Sequence, residues 1–101
     1  MSEALLCINL PPQLELELID WLLQREIEDF TSMPCSGHGR QHALGSIAEK
    51  VAGKARRVEV QVRLNEQQWP ALVRGLGEAF AGADILYWVL PVLCSGCFVK
   101  D

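Results

Sequence analysis

The chain has 101 residues, half of them hydrophobic, and a formal net charge of -4 at pH 7. A chain of this size forms one domain with only a modest core of its own. The acidic balance argues against nucleic-acid binding, because displacing counterions from phosphates normally requires a basic surface. We therefore expect a single domain that assembles with other copies.

The longest apolar run, 85–93, is too short to span a bilayer, and no charged segment followed by an apolar one opens the chain. The expectation is a soluble cytoplasmic protein without membrane insertion. Four cysteines in such a protein are predicted to be free thiols or metal ligands rather than a disulfide framework.

The first half of the chain predicts a strand, a helix and a second strand. Residues 4–10 form the first strand, Pro11 and Pro12 introduce a helix over 13–28, and a short strand covers 30–35. The helix carries two apolar stripes, so one is expected to face the sheet and the other a partner. The stripes are Leu14, Leu18, Trp21 and Leu22, and Leu16, Ile19, Leu23 and Ile27.

The second half predicts a strand, a helix and a last strand. Residues 57–64 alternate without a fault, which places valines and Leu64 on one face and the charged residues on the other. Asn65, with Gln68 three residues later, predicts a cap for a helix that begins near Trp69. Residues 85–90 predict the last strand, with Pro91 best placed at a sheet edge.

A long polar loop, about 36–56, separates the second strand from the third. It opens with Gly37-His38-Gly39-Arg40-Gln41-His42, where glycine backbone allows close approach and leaves its amides free for an anion. The pattern favours binding rather than catalysis, although simple turn glycines and a solvated basic surface remain alternatives. Residues 46–49 match a capping box, and Gly53 would end a short helix there. The cations of the middle of the chain are Arg40, Lys50, Lys54, Arg56, Arg57 and Arg63.

Two cysteines follow the last strand, in Cys94-Ser95-Gly96-Cys97. Two thiolates at this spacing can chelate Cu(I) or Zn(II), but they supply only half of a tetrahedral site. The remaining ligands would come from another subunit or from Cys35, His38 and His42. A redox role and an unengaged tail are the alternatives. The predicted organisation is a domain over 1–93 and a tail over 94–101.

No acid/base pair stands out in the sequence, because the helical carboxylates show no pairing with a histidine or a nucleophile. We therefore predict no catalytic residue and no enzymatic activity. A thiol oxidoreductase is a weaker alternative, since no helix follows Cys97 to lower a thiol pKa.

The order strand, helix, strand, strand, helix, strand predicts an α+β, ferredoxin-like βαββαβ fold, with a four-stranded antiparallel sheet and two helices on one face. The first and last strands are apolar on both faces, and apolar surface left in water is costly at roughly 25 cal/mol per Å². The sequence therefore predicts a homo-oligomer built through the open face of the sheet.

The chain resembles the PII signalling superfamily in its βαββαβ order and in Gly37-His38-Gly39-Arg40-Gln41, which is similar to the run that begins the PII regulatory T-loop. It looks still closer to an uncharacterised PII-like family whose genes often accompany heavy-metal efflux systems. The motifs that carry this second resemblance are Leu10-Pro11-Pro12, Asp20-Trp21-Leu22-Leu23, Gly37-His38 and Tyr87-Trp88-Val89-Leu90-Pro91-Val92.

The resemblance implies a trimer whose clefts between subunits bind small effectors and whose loop contacts a target, such as a membrane transporter, in copper, zinc or cobalt homeostasis. Residues 80–84 hold no cation where PII proteins place a second phosphate-binding loop, so nucleotide binding stays open, as does a role in nitrogen or transport regulation. The expected effector-binding residues are Gly37, Gly39, Arg40, Gln41, Arg56 and Arg57.

Overall fold

The structure, a computed structural model, describes residues 2–39 and 54–99. The helix predicted near residues 46–53 lies outside these ranges. The described elements follow the predicted βαββαβ order, with one 3-10 turn before the first helix. They are β1 (Glu3–Leu10), the turn (Pro12–Leu14), α1 (Glu15–Gln24), β2 (Phe30–His38), β3 (Lys54–Asn65), α2 (Trp69–Ala79) and β4 (Leu86–Val92).

The four strands form one antiparallel sheet in the order β2-β3-β1-β4. This order, with two helices, is the predicted ferredoxin-like arrangement. β1 and β3 are the inner strands and β4 is an edge strand, where Pro91 pairs only with Ala4. The predicted edge position of Pro91 is therefore confirmed. Proline suits an edge strand because it has no N–H to donate to a further strand.

The core lies between the sheet and both helices. Alternate residues of β1 and β3 point to the helix layer, as the faultless alternation of β3 predicted. The opposite face of the sheet carries no helix among the described residues and is called the open face below. The core is formed by Leu6, Ile8, Leu10, Leu18, Trp21, Leu22, Val58, Val60, Val62, Leu64, Leu72 and Leu76.

Helix α1 ends at Gln24, four residues earlier than the sequence predicted. The cause is Glu26, whose φ of 62° is left-handed. Its N–H donates to the carbonyl of Leu23, and the N–H of Ile27 donates to that of Leu22, which is the paired bonding that closes a helix. A glutamate occupies the position that usually favours glycine, so the pattern missed the end of the helix.

The turn before α2 is bonded through Asn65 and Gln68, the two residues of the predicted cap. The Asn65 carboxamide oxygen accepts hydrogen bonds from the N–H groups of Gln67 and Gln68, at 2.9 and 2.8 Å. The Gln68 carboxamide oxygen accepts the N–H of Asn65 at 3.0 Å. These bonds stabilise the turn that leads into Trp69, where the helix begins.

The two helices meet closely at Trp21. A Cβ built on Gly75 of α2 would lie 3.3 Å from Trp21 Cζ2, so the glycine makes room for the indole. Phe80 packs its edge against the same ring, with centroids 6.0 Å apart and an interplanar angle of 75°. Across the described ranges, neither helix is long and apolar enough to cross a membrane.

Candidate functional site

The end of the β2–β3 hairpin forms the base of the 40–53 segment. β2 and β3 pair further than predicted, up to His38 opposite Lys54, with Ser36 opposite Arg56. Directly opposed residues share a face, and residues two apart along a strand share it as well. His38, Lys54 and Arg56 are all exposed, so the hairpin presents them together on one side.

The glycines of this hairpin have different environments. Gly37 is buried and pairs with Ala55, on the face of the sheet opposite to that of His38. Gly39 has a φ of 96°, a conformation that L side chains rarely adopt, and no atom of residues 2–39 and 54–99 lies within 4 Å of a Cβ built there. Of the predicted effector-binding residues, Arg40 and Gln41 lie outside the described ranges, as does the candidate metal ligand His42.

Arg57 lies on the open face of the sheet and is buried, with 2% of the residue exposed. Its Nε donates to Asn9 Oδ1 at 2.7 Å, and its terminal nitrogens donate to Asp84 Oδ2 at 2.7 Å and to the carbonyls of Asn9 and Asp84 at 3.0 Å. The guanidinium therefore joins β3, β1 and the connection that precedes β4.

The interpretation of Arg57 as part of a solvated basic surface is wrong. A buried guanidinium is stable only when a nearby anion and hydrogen bonds replace its lost hydration, and Asp84 with Asn9 supplies both. The predicted role of Arg57 in binding an effector is untested, but its charge is already matched by Asp84. Of the described cations at the loop base, Lys54 and Arg56 are the exposed ones.

The candidate metal ligands lie at two ends of the sheet. Cys35 pairs with Arg57 at the loop end, where Asn9 Nδ2 donates to its sulfur at 3.6 Å, and His38 is three residues further on. Cys94 and Cys97 follow β4, whose last residue pairs with Glu3 at the opposite end. Both are exposed free thiols, while Cys35 is half-buried. Within one chain the structure does not bring the two groups together.

No cluster of three or more His, Cys, Asp or Glu residues that could hold a metal ion occurs within residues 2–39 and 54–99. A metal site that combines Cys94 and Cys97 with other ligands stays a prediction. The Ser95 hydroxyl between the two cysteines donates to Glu3 Oε1 at 2.6 Å, which ties the tail to the start of β1.

Cys7 occupies the middle of the open face and is almost fully buried. Burial raises the pKa of its thiol above the ordinary value, the nearby carboxylate of Glu59 raises the pKa further, and a hydrogen bond with Trp88 opposes the shift. Cys7 is therefore a small buried hydrophobe in its neutral form.

The open face also carries exposed apolar side chains along β4. Trp88 and Leu90 are 39% and 46% exposed and stand opposite Cys7 and Leu5 of β1. The other half of this face is polar, where Gln61 donates to Glu59 at 2.8 Å and Arg63 approaches Glu3 at 3.5 Å. The apolar area that favoured an oligomer is present, and it is confined to the β1 and β4 side.

Sequence reasoning missed Asn9 and Asp84, the two partners of Arg57. Asn9 did carry a signal, since it is the one polar residue in the apolar run 4–10, and a buried polar side chain requires a partner. Asp84 lies in the segment 80–84, which the sequence marks only by its lack of a cation. Nothing in the sequence indicated that it would bind a residue 27 positions earlier.

Comparisons with known proteins identify the family and support the fold described above. The model of the family described as "Protein of unknown function (DUF3240)" matches residues 1–99. A crystal structure of a DUF3240 family protein from Shewanella baltica OS155 is similar, with a TM-score of 0.78, 18% identity, and coverage of 98% of this chain and 99% of that one. No curated protein matches.

PII-like proteins share the fold at low identity. CPII from Thiomonas intermedia K12, a nitrogen regulatory PII-like protein bound to ADP, AMP and bicarbonate, has a TM-score of 0.72 at 15% identity, covering 97% of this chain and 98% of that one. A putative PII-like signalling protein from Thermus thermophilus has a TM-score of 0.62 at 18% identity, covering 91% and 88%. The fold is therefore PII-like.

Proposed function

The chain belongs to this DUF3240 family and has a PII-like fold, and from that premise we propose that it is a non-enzymatic regulatory protein. It binds a small anionic effector at the base of the 40–53 segment and thereby changes how that segment contacts a partner protein. Such an effector acts only if its affinities for two states of the segment differ.

The observation that carries the proposal is the exposed pair Lys54 and Arg56, presented with His38 on one side of the hairpin that flanks the segment. Two cations two residues apart on one strand face provide charge-assisted donors for an anion. Because Arg57 is buried whereas Lys54 and Arg56 are exposed, we place the anion at the exposed residues.

Titration calorimetry tests the effector site. Nucleotides and bicarbonate are the first ligands to test, because a protein of the same fold binds them. We expect saturable binding of ADP, AMP, ATP or bicarbonate, weakened about tenfold or more in a Lys54→Ala/Arg56→Ala variant, since each charge-assisted bond is worth roughly 1.5 to 3 kcal/mol. A response confined to ATP and ADP would favour nucleotide signalling of the ordinary PII type.

The matched control is Arg63→Ala/Arg74→Ala, which removes the same charge from two positions elsewhere on the chain. It should leave affinity within about twofold at physiological salt. Absence of heat with all four ligands at millimolar concentration would eliminate the proposal. Equal losses of affinity in the two variants would show that the effector does not bind at the loop base.

We further propose that the protein is a homo-oligomer, a trimer by the resemblance, assembled through the apolar side of the open face. Trp88 and Leu90 are the largest exposed apolar residues there. Light scattering should give a trimer for the wild type and a smaller species for Trp88→Glu. Leu16→Glu, a change at a more exposed residue in the helix layer, should keep the trimer. A monomeric wild type at micromolar concentration would contradict this assembly.

The second candidate function is metal homeostasis through Cys94 and Cys97. The observation in its favour is that both thiols are free and exposed, with two residues between them. Competition with a chromophoric chelator should show Cu(I) or Zn(II) binding that Cys94→Ser/Cys97→Ser abolishes and Cys35→Ser leaves intact. Unchanged binding in the double variant would exclude the tail as the site.

A further inference from the structure

Helix α1 exposes large apolar side chains on its outward face. Leu16 is 76% exposed and Leu23 is 48% exposed. They are seven residues apart and therefore share one side of the helix, with the half-buried Ile19 between them. Leu18 and Leu22, which fill the core, lie on the other side. The outward stripe thus contributes nothing to the core of this chain.

An acidic groove lies beside this stripe, where α1 meets the end of α2. It encloses about 290 Å³, with the aromatic rings of Trp21 and Phe80 in its wall. Glu17, Asp20 and Gln24 line it from α1 and are exposed. Carboxylates that line a groove favour a cation.

Stabilisation of α1 accounts for only some of the acidic residues on this helix. Glu15 and Glu17 lie in the first turn, where carboxylates interact favourably with the helix dipole. Asp20 lies beyond that turn and has no such role. The nearby cation, Arg25, is held at the end of the helix, 3.8 Å above the Trp21 ring and bonded to the carbonyl of Trp21.

The charge around the stripe selects its occupant. A second copy of the same face, a nucleic acid and an anionic membrane would each meet like charge, because Arg25 is the one cation in residues 1–29. The open face lies on the other side of the sheet, so assembly through it leaves α1 outward. The acidic residues of the segment are Glu3, Glu15, Glu17, Asp20, Glu26, Glu28 and Asp29.

We propose that the outward face of α1 is a docking surface for a cationic amphipathic segment of a partner protein. Apolar side chains of the segment cover Leu16 and Leu23, and a lysine or arginine enters the groove of Glu17 and Asp20. This arrangement corresponds to recognition of an amphipathic segment by an apolar and oppositely charged face. It does not depend on effector binding at the loop base.

A designed peptide tests the proposal with the full chain. The probe is a fluorescent peptide of lysine and leucine at helical spacing, about 18 residues long so that it can form a helix. A glutamate and leucine peptide of equal length is the control probe. We expect the cationic peptide to bind and the control peptide not to bind. On binding, the largest amide shifts in the NMR spectrum should occur at α1 and Phe80.

Two variants separate the apolar and charged contributions. Leu16→Ser/Leu23→Ser should weaken binding about tenfold or more through lost apolar contact. Glu17→Gln/Asp20→Asn should weaken it about threefold to tenfold and reduce its salt dependence. The matched controls are Leu93→Ser/Val99→Ser, two exposed apolar residues of the tail, and Glu66→Gln/Glu78→Gln, which removes equal charge.

Failure of the wild type to bind the cationic peptide at about 1 mM would overturn the proposal, since that limit corresponds to only about 4 kcal/mol. Equal losses in the site and control variants, or amide shifts on the open face, would overturn it as well. Dissociation of the oligomer by Leu16→Ser/Leu23→Ser would assign the stripe to contacts between copies instead. Circular dichroism of each variant checks that these surface changes leave the fold intact.

Discussion

The two ends of the open face carry similar residues in opposite environments. At the loop end, the Arg57 side chain is 1% exposed and lies 2.7 Å from Asp84. Six residues further along β3, the Arg63 side chain is 55% exposed and lies 3.5 Å from Glu3. Both arginines alternate onto the same face, so the pattern alone treats them as equal. The burial of each arginine depends on which residues of the neighbouring strands and turns contact it.

The thiols follow the same division. Cys94 and Cys97 are exposed at the end that holds Arg63, whereas Cys35 is half-buried beside Arg57 and Cys7 is buried between the ends. At the loop end, the hydrogen bonds of Arg57 with Asn9 and Asp84 hold the sheet together beneath the predicted effector site. The opposite end is accessible and loosely tied. These differences predict distinct responses to substitution and to reagents.

Thiol labelling should show the largest difference between the regions. We expect iodoacetamide to modify Cys94 and Cys97 about 100-fold faster than Cys7, because a buried thiol reacts only after local opening. Mass spectrometry of peptides after timed quenching measures the rates residue by residue. Comparable rates for Cys7 and Cys94 would mean that the open face is not packed as described.

Arg57→Ala should lower the free energy of unfolding by about 3 kcal/mol, because it removes the buried guanidinium that bonds Asp84 and the Asn9 carboxamide. Urea denaturation followed by circular dichroism measures the change. A loss under about 1 kcal/mol would show that the guanidinium contributes no more than a surface cation does.

Asp84→Asn tests the same bonds from the other partner. The change keeps the shape of the side chain and removes the charge, and Asp84 is partly exposed, so we expect a smaller loss of about 1 to 2 kcal/mol. A double-mutant cycle with Arg57→Ala should show coupling between the two sites. Strictly additive losses would indicate that the pair acts independently.

The pH dependence of stability should report Cys7. Its pKa is raised in the folded chain, chiefly by burial, so the stabilising effect is complete below the pKa of the unfolded thiol and declines as pH rises toward the folded value. Unfolding free energy should therefore fall above about pH 8.5. Cys7→Ala should reduce the fall of the unfolding free energy with pH. Cys94→Ser, the control, should leave the contribution of Cys7 to that fall intact.

Arg63→Ala should have the smallest effect, about 0 to 0.5 kcal/mol in the same denaturation experiment, because its contact with Glu3 is long and exposed to water. High salt should lower this value toward zero, because it screens exposed charges. A loss near that of Arg57→Ala would erase the distinction between the two ends.

Local patterns predicted most of the fold. The alternation of β3, the Asn65 and Gln68 cap and the edge position of Pro91 each depend on residues close in sequence. The end of α1 was wrong because Glu26 adopts a conformation that its residue type does not indicate. Such a position is set by the bonds of the turn rather than by propensity.

The candidate site was less predictable. The sequence counted Lys54 and Arg56 among the cations of the middle of the chain, and of the two it predicted only Arg56 as an effector-binding residue. It could not separate them from Arg57, since the burial of Arg57 depends on Asn9 and Asp84, which are 48 and 27 positions away. Contacts at such separations follow from strand register, and register is known only once the sheet is assembled.

Native mass spectrometry of the purified protein with ADP, AMP and ATP tests the central claim most directly, because it reports assembly and ligand together. The account predicts a trimer that retains up to one ligand per subunit, lost in Lys54→Ala/Arg56→Ala and kept in Arg63→Ala/Arg74→Ala. A ligand-free monomer, or equal retention of ligand in both variants, would contradict it.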